Sequence, residues 1–177
     1  MAALSTAVVS PPMATVVVPF RAGKSRLALP AEARETLALS MLGTVLVAAK
    51  QVGRTLLVTD DPALAERFGV EHVVEPGGGQ GPAVAAGVAA AGDAPVLVVN
   101  ADLPRATAAD LTALADAAPA LVAAADGTTN ALALTDPAAF RPVYGPGSAD
   151  RFEALGLRPV DLPNLAADVD TIADLAA

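Results

Sequence analysis

The chain contains no cysteine and only one histidine among its 177 residues. Without cysteine it cannot form disulfides, thiolate nucleophiles or zinc sites with cysteine ligands, and this composition fits a reducing cytoplasm. His72 stands alone, which excludes multi-histidine metal sites and argues against a histidine-based triad. It lies in a short strand-like segment, where we expect a structural or solvent-facing role.

Basic residues and long apolar runs are also scarce. The 11 lysines and arginines face 19 aspartates and glutamates, so the net charge is −8. This charge argues against a nucleic-acid partner, whose binding needs a wide basic face. Hydrophobic residues make up 54% of the chain, yet no uninterrupted apolar stretch reaches the roughly 18 to 20 residues of a membrane span. We therefore expect a soluble, cytoplasmic protein with no membrane partner.

The length is sufficient for one sizeable core and too short for two independent enzyme domains. Residues 1–12 have no basic segment ahead of their apolar residues and make a poor secretory signal. We expect them to be a disordered extension, with Met13 as a potential natural start and residues 13–177 as a single domain.

Strand-like segments alternate along the chain with helical stretches rich in alanine and leucine. Runs of β-branched and aliphatic residues predict strands at 15–20, 55–59, 71–74, 95–99 and 120–124. Helices are expected at 31–49, 62–68, 82–91 and 107–117, with Asp61 and Thr107 as N-caps. This alternation is typical of βαβ units and predicts a single α/β domain with three layers, in which helices cover both faces of a mostly parallel sheet.

The pattern changes after Asp126. A short strand is expected around 131–134, followed by a turn rich in glycine and proline at 144–147. A helix at 148–155 and a final helix after Asp170 complete the chain. No internal repeat or domain linker interrupts this order.

A compact basic segment follows the first predicted strand. Arg21, Lys24 and Arg26 place three of the eleven basic residues within six positions of an acidic chain. Open α/β sheets bind ligands at the carboxyl ends of their strands, so this segment is suited to hold a polyphosphate. A solvated surface turn is the alternative.

A glycine run at Gly77, Gly78, Gly79 and Gly81 follows the third strand and precedes a helix. Its backbone can approach a ligand closely, but its spacing does not match the GxGxxG dinucleotide fingerprint. The Walker A motif fails as well, because its first glycine would stand five positions before Gly23, where the chain has Val18.

Three aspartates are candidates for metal binding. Asp102 follows the fourth strand, within a segment that reads Asn, Ala, Asp, Leu, Pro. Asp168 and Asp170 alternate near the C-terminus, so an extended backbone would point both carboxylates the same way. Oxygen ligands in small number, supplemented by waters and phosphates, suit Mg²⁺. Turn capping is the structural alternative for Asp102 and Asp170.

Two polar turns provide hydroxyl and backbone N–H groups. One spans 126–130, and the other spans 144–148 and opens a helix near Ser148, whose N-terminus would suit a phosphate or carboxylate. Ordinary turn chemistry would explain either segment alone.

Taken in order, these segments resemble the guanylyltransferase family of coenzyme F420 biosynthesis, which attaches GMP to 2-phospholactate or phosphoenolpyruvate. The resemblance covers nearly the whole chain after Met13. Its motifs are GKSRL at 23–27, ML at 41–42, NADLP at 100–104, GTTNAL at 127–132, YGPGS at 144–148 and DVDT at 168–171. It implies a nucleotidyltransferase fold of the glycosyltransferase-A-like, Rossmann-like type.

The resemblance also implies roles for individual residues. Asp102 and Asp170 would hold Mg²⁺ and, with Lys24, form the catalytic set. Thr129, Gly145 and Ser148 would bind the phosphorylated three-carbon acid, with Thr128 and Asn130 in support. GTP would contact the residues of the basic segment and the glycine run, namely Arg21, Lys24, Arg26, Gly79 and Gly81. Related sequences usually read Leu-Asn where this chain has Gln80 and Gly81.

The expected reaction is transfer of GMP from GTP to phosphoenolpyruvate, the acceptor implied for actinobacterial members. The same reaction on 2-phospholactate or 3-phosphoglycerate stays open. So do a molybdopterin or sugar-phosphate nucleotidyltransferase and a non-catalytic nucleotide-binding regulatory protein. An F420-pathway transferase that receives the product is the partner that the resemblance implies, and the sequence does not indicate an oligomeric state.

Overall fold

The computed structural model describes residues 14–21, 29–169 and 174. This part of the chain contains one seven-stranded sheet with the spatial order β3-β2-β1-β4-β6-β5-β7. The strands are β1 (Thr15–Pro19), β2 (Thr55–Thr59), β3 (Glu71–Val74), β4 (Val96–Val99), β5 (Ala120–Ala123), β6 (Thr129–Leu134) and β7 (Arg158–Pro159).

Five α-helices of the described residues lie between strands, and a sixth follows β7: α1 (Ala31–Val52), α2 (Pro62–Phe68), α3 (Gln80–Ala91), α4 (Ala108–Asp116), α5 (Ser148–Ala154) and α6 (Pro163–Ala166). Two begin at the N-caps expected from the sequence. The Asp61 carboxylate accepts a hydrogen bond from Ala63 N, and Thr107 forms a capping box with Asp110. Such caps satisfy N–H groups that have no partner within the helix.

The sheet separates two hydrophobic cores, because alternate residues of each strand point to opposite faces. Helices α1, α2, α4 and α6 cover one face, which receives Val16 and Val18 of β1. Helices α3 and α5 cover the other face, which receives Val17 of the same strand. The three-layer α/β/α architecture predicted from the sequence is confirmed.

Helix α1 is the helix within the described residues that is long and apolar enough, by length and composition alone, to span a membrane. Six of its residues are buried: Met41, Leu42, Val45, Leu46, Ala48 and Ala49. Most of them belong to the core between α1, the sheet and α4. The apolar composition of α1 is therefore explained by packing in the interior.

The direction in which successive strands are added to the sheet changes after β3. Strands β1, β2 and β3 are added in one direction, and the next strand, β4, pairs in parallel with the opposite side of β1. Open α/β sheets bind ligands at such a switch point, outside the carboxyl ends of the two strands. Here those ends lead into Phe20 and Arg21 on one side and Asn100 to Asp102 on the other.

Strand β6 is antiparallel to β4, so its amino end lies at the edge where β4 finishes. It begins at Thr129, two residues before the predicted start at 131. Asn100 N donates to Asn130 O at 2.9 Å and extends the pairing beyond β4. The polar turn at 126–130 is thereby brought beside the segment that contains Asp102.

Candidate active site

A pocket of about 330 Å³ opens at the switch point between β1 and β4. Its size lies in the range of small-molecule sites, roughly 300 to 1,000 Å³. Its polar lining comes from Arg21, Glu75, Gln80, Asn100 and Asp102. The apolar lining includes Pro19, Phe20, Ala38, Met41, Ala83 and Val169.

Asp102 lines this pocket. One of its carboxylate oxygens is buried, and its backbone oxygen accepts a hydrogen bond from Val169 N at 3.2 Å. That bond holds the end of the described C-terminal segment against the loop after β4. Asp168 precedes Val169, so this backbone contact brings the segment that contains Asp168 beside Asp102.

A chain of amide hydrogen bonds runs across the carboxyl edge of the sheet. Gln80 Nε2 donates to Asn100 Oδ1 at 2.7 Å, and Asn100 Nδ2 donates to Asn130 Oδ1 at 3.3 Å. Asn130 Nδ2 in turn donates to Asp168 Oδ1 at 3.2 Å and to Ala166 O at 3.3 Å. We call these four side chains, Gln80, Asn100, Asn130 and Asp168, the amide chain. It connects helix α3 to the C-terminal segment.

An ion pair closes the β3 side of the pocket. Arg21 Nη2 lies 3.3 Å from Glu75 Oε2, and the Glu75 side chain is only 5% exposed. Glu75 Oε1 also accepts a hydrogen bond from Gly77 N at 3.1 Å. The carboxylate therefore fixes both the arginine at the end of β1 and the start of the glycine run.

The glycine run is needed for the backbone path between β3 and α3. Gly77, Gly78 and Gly79 have φ values of 83°, 85° and 102°, a region in which residues with a Cβ are strained. Gly79 lines the pocket, whereas Gly81 is buried and its Cβ position lies 3.3 Å from Pro142 O. A side chain at position 81 would therefore meet Pro142.

The predicted acceptor residues come together on the other side of β4. Thr129 Oγ1 lies 2.9 Å from Ser148 Oγ, and both side chains are buried. Ser148 N donates to Gly145 O at 3.0 Å, and Ala149 N donates to Gly127 O at 3.2 Å. The two polar turns of the sequence are thus bonded to each other.

Arg151 holds the second of these turns in place. Its guanidinium donates to Pro146 O at 2.8 Å, to Val143 O at 3.0 Å and to Tyr144 O at 3.2 Å. The planar fork of an arginine can serve several acceptors at once. The sequence analysis missed this residue, although a basic side chain one turn into a short helix after a glycine-rich turn was a usable signal.

Tyr144 packs beside the same turn in an aromatic cluster. Its ring centroid lies 5.2 Å from that of Phe152 in an edge-to-face arrangement and 6.4 Å from that of Phe140. The hydroxyl oxygen is buried and has no hydrogen-bond partner among the described residues. Burial raises the pKa of the Tyr144 phenol well above its ordinary value.

Three of the sequence-predicted site residues, Lys24, Arg26 and Asp170, lie outside the described residues, as does the expected extension at 1–12. Of the others, Arg21, Gly79 and Asp102 line the pocket. Thr129, Gly145 and Ser148 form a second group across the amide chain. His72 lies outside both groups, and its Nε2 contacts Thr59 O at 3.0 Å.

The donor set near Asp102 fits a hard divalent cation. No group of three or more histidine, cysteine or acidic side chains suited to hold a metal occurs within residues 14–21 and 29–169. Asp102 is, however, a pocket carboxylate with a second acidic segment held beside it through Val169. Few protein oxygens, completed by waters and substrate phosphates, are the usual arrangement for Mg²⁺.

Sequence comparison identifies relatives across most of the chain. The model of the MobA-like NTP transferase domain matches residues 20–145. A phosphoenolpyruvate guanylyltransferase of Sphaerobacter thermophilus is 40% identical over 174 residues, which cover 86% of this chain and 84% of that protein. Another, from Salinispora arenicola, is 38% identical and covers 92% and 86%, respectively.

Solved structures share the fold at low sequence identity. A putative nucleotide-diphospho-sugar transferase from Desulfovibrio desulfuricans G20 superposes with a TM-score of 0.71 at 17% identity, covering 93% of this chain and 85% of that one. A 4-diphosphocytidyl-2C-methyl-D-erythritol synthase gives 0.61 at 16% identity, covering 94% and 97%. These similarities confirm the nucleotidyltransferase fold expected from the sequence.

Proposed function

Because the chain belongs to the phosphoenolpyruvate guanylyltransferase family and carries a MobA-like NTP transferase domain, we propose that it transfers GMP from GTP to phosphoenolpyruvate and releases pyrophosphate. The observation that carries this proposal is 40% identity to such an enzyme over 86% of the chain. The pocket at the switch point, which Asp102 lines, supports it.

In the proposed reaction, a phosphate oxygen of the acceptor forms a bond to the α-phosphorus of GTP. The bond between that phosphorus and the oxygen bridging to the β-phosphorus breaks, and pyrophosphate leaves with the electron pair. The attacking oxygen is already ionised at neutral pH, so no general base is needed. This agrees with a chain that has one histidine and no cysteine.

The main barrier is the approach of two anions. Unit like charges about 4 Å apart repel by roughly 1 kcal/mol in bulk water and roughly 4 kcal/mol at an effective dielectric near 20. Cations must offset this repulsion. Arg21 lines the pocket, and Lys24 and Arg26 follow it in the sequence, so we assign these three residues to the GTP phosphates.

Asp102 and Asp170 would hold Mg²⁺, with Asp168 kept in position by Asn130. When bound, the metal supplies charge neutralisation and alignment of the phosphates, as in other in-line phosphoryl and nucleotidyl transfers. The chain's own contribution is to orient the two substrates so that the attacking oxygen lies opposite the leaving pyrophosphate.

The acceptor is assigned to the group across the amide chain. Thr129, Gly145 and Ser148 lie at the amino end of β6 and the start of α5, beside the edge where β4 ends. The hydroxyls of Thr129 and Ser148 contact each other. We therefore propose that they fix the shape of this turn and that the turn, including its backbone, contacts the acid. In this arrangement GTP and the acid approach Asp102 from opposite sides of β4.

We further propose that the protein acts in the cytoplasm and in coenzyme F420 biosynthesis, where a transferase would receive its guanylylated product. The net charge of −8 and the absence of cysteine are compatible with this setting.

The decisive experiment measures pyrophosphate release from GTP and Mg²⁺ with phosphoenolpyruvate, 2-phospholactate and 3-phosphoglycerate in parallel. We expect the highest kcat/KM with phosphoenolpyruvate. Release with 2-phospholactate alone would keep the guanylyl transfer and correct the acceptor. If none of the three acids supports release, the enzymatic assignment fails and a nucleotide-binding regulatory protein becomes the better description.

A further inference from the structure

We propose that Gln80 determines the base specificity of the pocket by accepting a hydrogen bond from the 2-amino group of guanine. The proposal rests on the proposed function, since it concerns the base of the same GTP molecule. Gln80 is the first residue of α3 and lines the pocket at the switch point. The sequence analysis noted Gln80 only as a departure from related sequences and assigned it no role.

The orientation of the Gln80 amide is fixed from the far end of the amide chain. A carbonyl oxygen only accepts hydrogen bonds, so the NH₂ group of Asn130 must face Ala166 O, and its Oδ1 faces Asn100. The NH₂ group of Asn100 likewise faces Thr129 O at 3.2 Å, and its Oδ1 then receives Gln80 Nε2. Gln80 therefore has one N–H committed to Asn100, with Oε1 at the other end of the amide.

An amide oxygen in this position is unsuited to the triphosphate. Phosphate oxygens only accept hydrogen bonds at neutral pH, and the cation Arg21 already lies at the end of β1 for that part of the ligand. Gln80 is exposed, so water donates to its carbonyl in the free protein, and a bound ligand that displaces this water must supply a donor in its place. Guanine provides one, since its 2-amino group is a donor that adenine lacks.

The pocket that Gln80 lines suits a flat base with donor groups on its edge. Ala38, Met41 and Ala83 give the pocket apolar surface, against which a ring can pack. Glu75 adds a second acceptor to the β3 side, where its carboxylate is held by Arg21 and Gly77 N. Glu75 and Gln80 thus both supply acceptors to one pocket, and guanine carries two donors on one edge, N1–H and the 2-amino group.

The test is equilibrium binding without any acceptor acid, so that it does not depend on turnover. GTP, inosine triphosphate and 2′-deoxyGTP are titrated into the wild-type protein, into Gln80→Leu and into the control Gln51→Leu. Inosine triphosphate differs from GTP only in that its base lacks the 2-amino group. Gln51 is the other glutamine of the chain, exposed on α1 and bonded to its own helix at Val47 O.

We expect the wild type and Gln51→Leu to bind GTP about threefold to tenfold more tightly than inosine triphosphate, the range of one hydrogen bond. Gln80→Leu should weaken GTP binding by the same factor and leave inosine triphosphate unchanged, so the two affinities converge. The ratio of the affinities for GTP and 2′-deoxyGTP should be the same in all three proteins.

An unchanged preference for GTP over inosine triphosphate in Gln80→Leu would overturn the proposal while the guanylyltransferase function stands. A change in the GTP to deoxyGTP ratio instead would also overturn it, because it would place Gln80 at the ribose. If the wild type binds none of the three nucleotides, both this proposal and the proposed function fail. Thermal unfolding of each variant checks that the fold is intact.

Discussion

Asp102 combines a carboxylate in the pocket with a backbone oxygen that holds the C-terminal segment. Substitution by asparagine keeps the size of the side chain and the backbone contact with Val169 but removes the negative charge that would hold a divalent cation. We predict that Asp102→Asn lowers the rate of GMP transfer by a factor of about 100 to 1,000, the scale of losing a major electrostatic contribution.

Pyrophosphate release measures the rate, and Mn²⁺ titration and thermal unfolding measure metal affinity and folding. We expect weaker Mn²⁺ binding and a melting temperature close to that of the wild type. Turnover near the wild-type rate would refute the metal-binding role of Asp102. A large loss of stability would instead indicate a structural role.

Tyr144 permits a second prediction, because it is the only tyrosine and the chain has no tryptophan. Burial raises its pKa above the ordinary value of 10.0. Ionisation of the phenol therefore has no effect on stability below that pH, but stability falls above it, because the unfolded chain loses the proton more readily. Tyrosinate absorbance should appear only together with alkaline unfolding.

Tyr144→Phe keeps the ring contacts with Phe140 and Phe152 and removes the buried hydroxyl. We predict a gain in the free energy of unfolding of up to about 1 to 3 kcal/mol, the cost of burying an unsatisfied polar group. Urea unfolding at neutral pH measures this gain. A loss of stability would show that the hydroxyl has a partner in the folded protein.

At the scale of elements, α3 lies unusually close to the sheet because of Gly87. A Cβ at this position would collide with the side chain of Val17 and lie 2.9 Å from Val58 Cγ2. We predict that Gly87→Ala pushes α3 away from β1 and β2 and lowers the free energy of unfolding by about 1 to 3 kcal/mol.

Gly43→Ala in α1 is the matched control. Its Cβ would lie 3.4 Å from Phe68 Cε1, an ordinary contact, so the better helix propensity of alanine should raise stability by about 0.5 to 1 kcal/mol. Chemical denaturation of both variants measures the difference. If Gly87→Ala and Gly43→Ala change the free energy of unfolding in the same direction, the close approach of α3 to the sheet does not require a glycine at position 87.

The turn before α5 depends on the guanidinium of Arg151, which serves three backbone carbonyls. Lysine keeps the charge but is a point donor and cannot reproduce the fork. We predict that Arg151→Lys raises KM for phosphoenolpyruvate about tenfold, whereas KM for GTP changes less than threefold, about the size of one lost hydrogen bond or less.

Arg67→Lys on α2, where the arginine lies over the Phe68 ring, serves as the control and should leave both KM values unchanged. An increase confined to KM for GTP in Arg151→Lys would place the 144–148 turn at the nucleotide instead of the acceptor.

At the scale of the whole molecule, ligand binding should be coupled to folding. A ligand that binds only the folded state stabilises it by about 2.7 kcal/mol when its free concentration is 100 times its Kd. We predict that GTP with Mg²⁺ raises the melting temperature, that EDTA removes most of the increase, and that ATP gives a smaller one. An equal increase with EDTA would show that nucleotide binding does not use the metal.

The pattern of the sequence was sufficient to predict the layers and most element bounds. Strands β2 and β3 and helix α2 match their predicted bounds, because local signals define them: β-branched runs, an Asp61 cap and a following glycine. Strand β7 was missed because it contains two residues, one a proline, and exists through its pairing with β5. No local pattern encodes such a contact.

The site was predictable where a motif stands at the end of a strand, as for Arg21, Gly79 and Asp102, all three of which line the pocket. The amide chain was not predictable, because Gln80, Asn100 and Asn130 come from three separate parts of the sequence. Their hydrogen bonds depend on the antiparallel insertion of β6 next to β4. The roles of Lys24, Arg26 and Asp170 stay predictions.

Because β6 is inserted beside β4, specificity for the nucleotide and specificity for the acceptor acid are proposed to lie in different parts of the sequence. The residues proposed for GTP precede position 105, and those proposed for the acceptor follow position 128. Each half could therefore diverge with few changes in the other, although the two halves meet at the β4–β6 boundary, at Gly81 and Pro142 and in the shared core of α3 and α5. Exchanging the downstream half for that of a relative with another acid would be the direct way to alter the acceptor and retain guanosine as the donor.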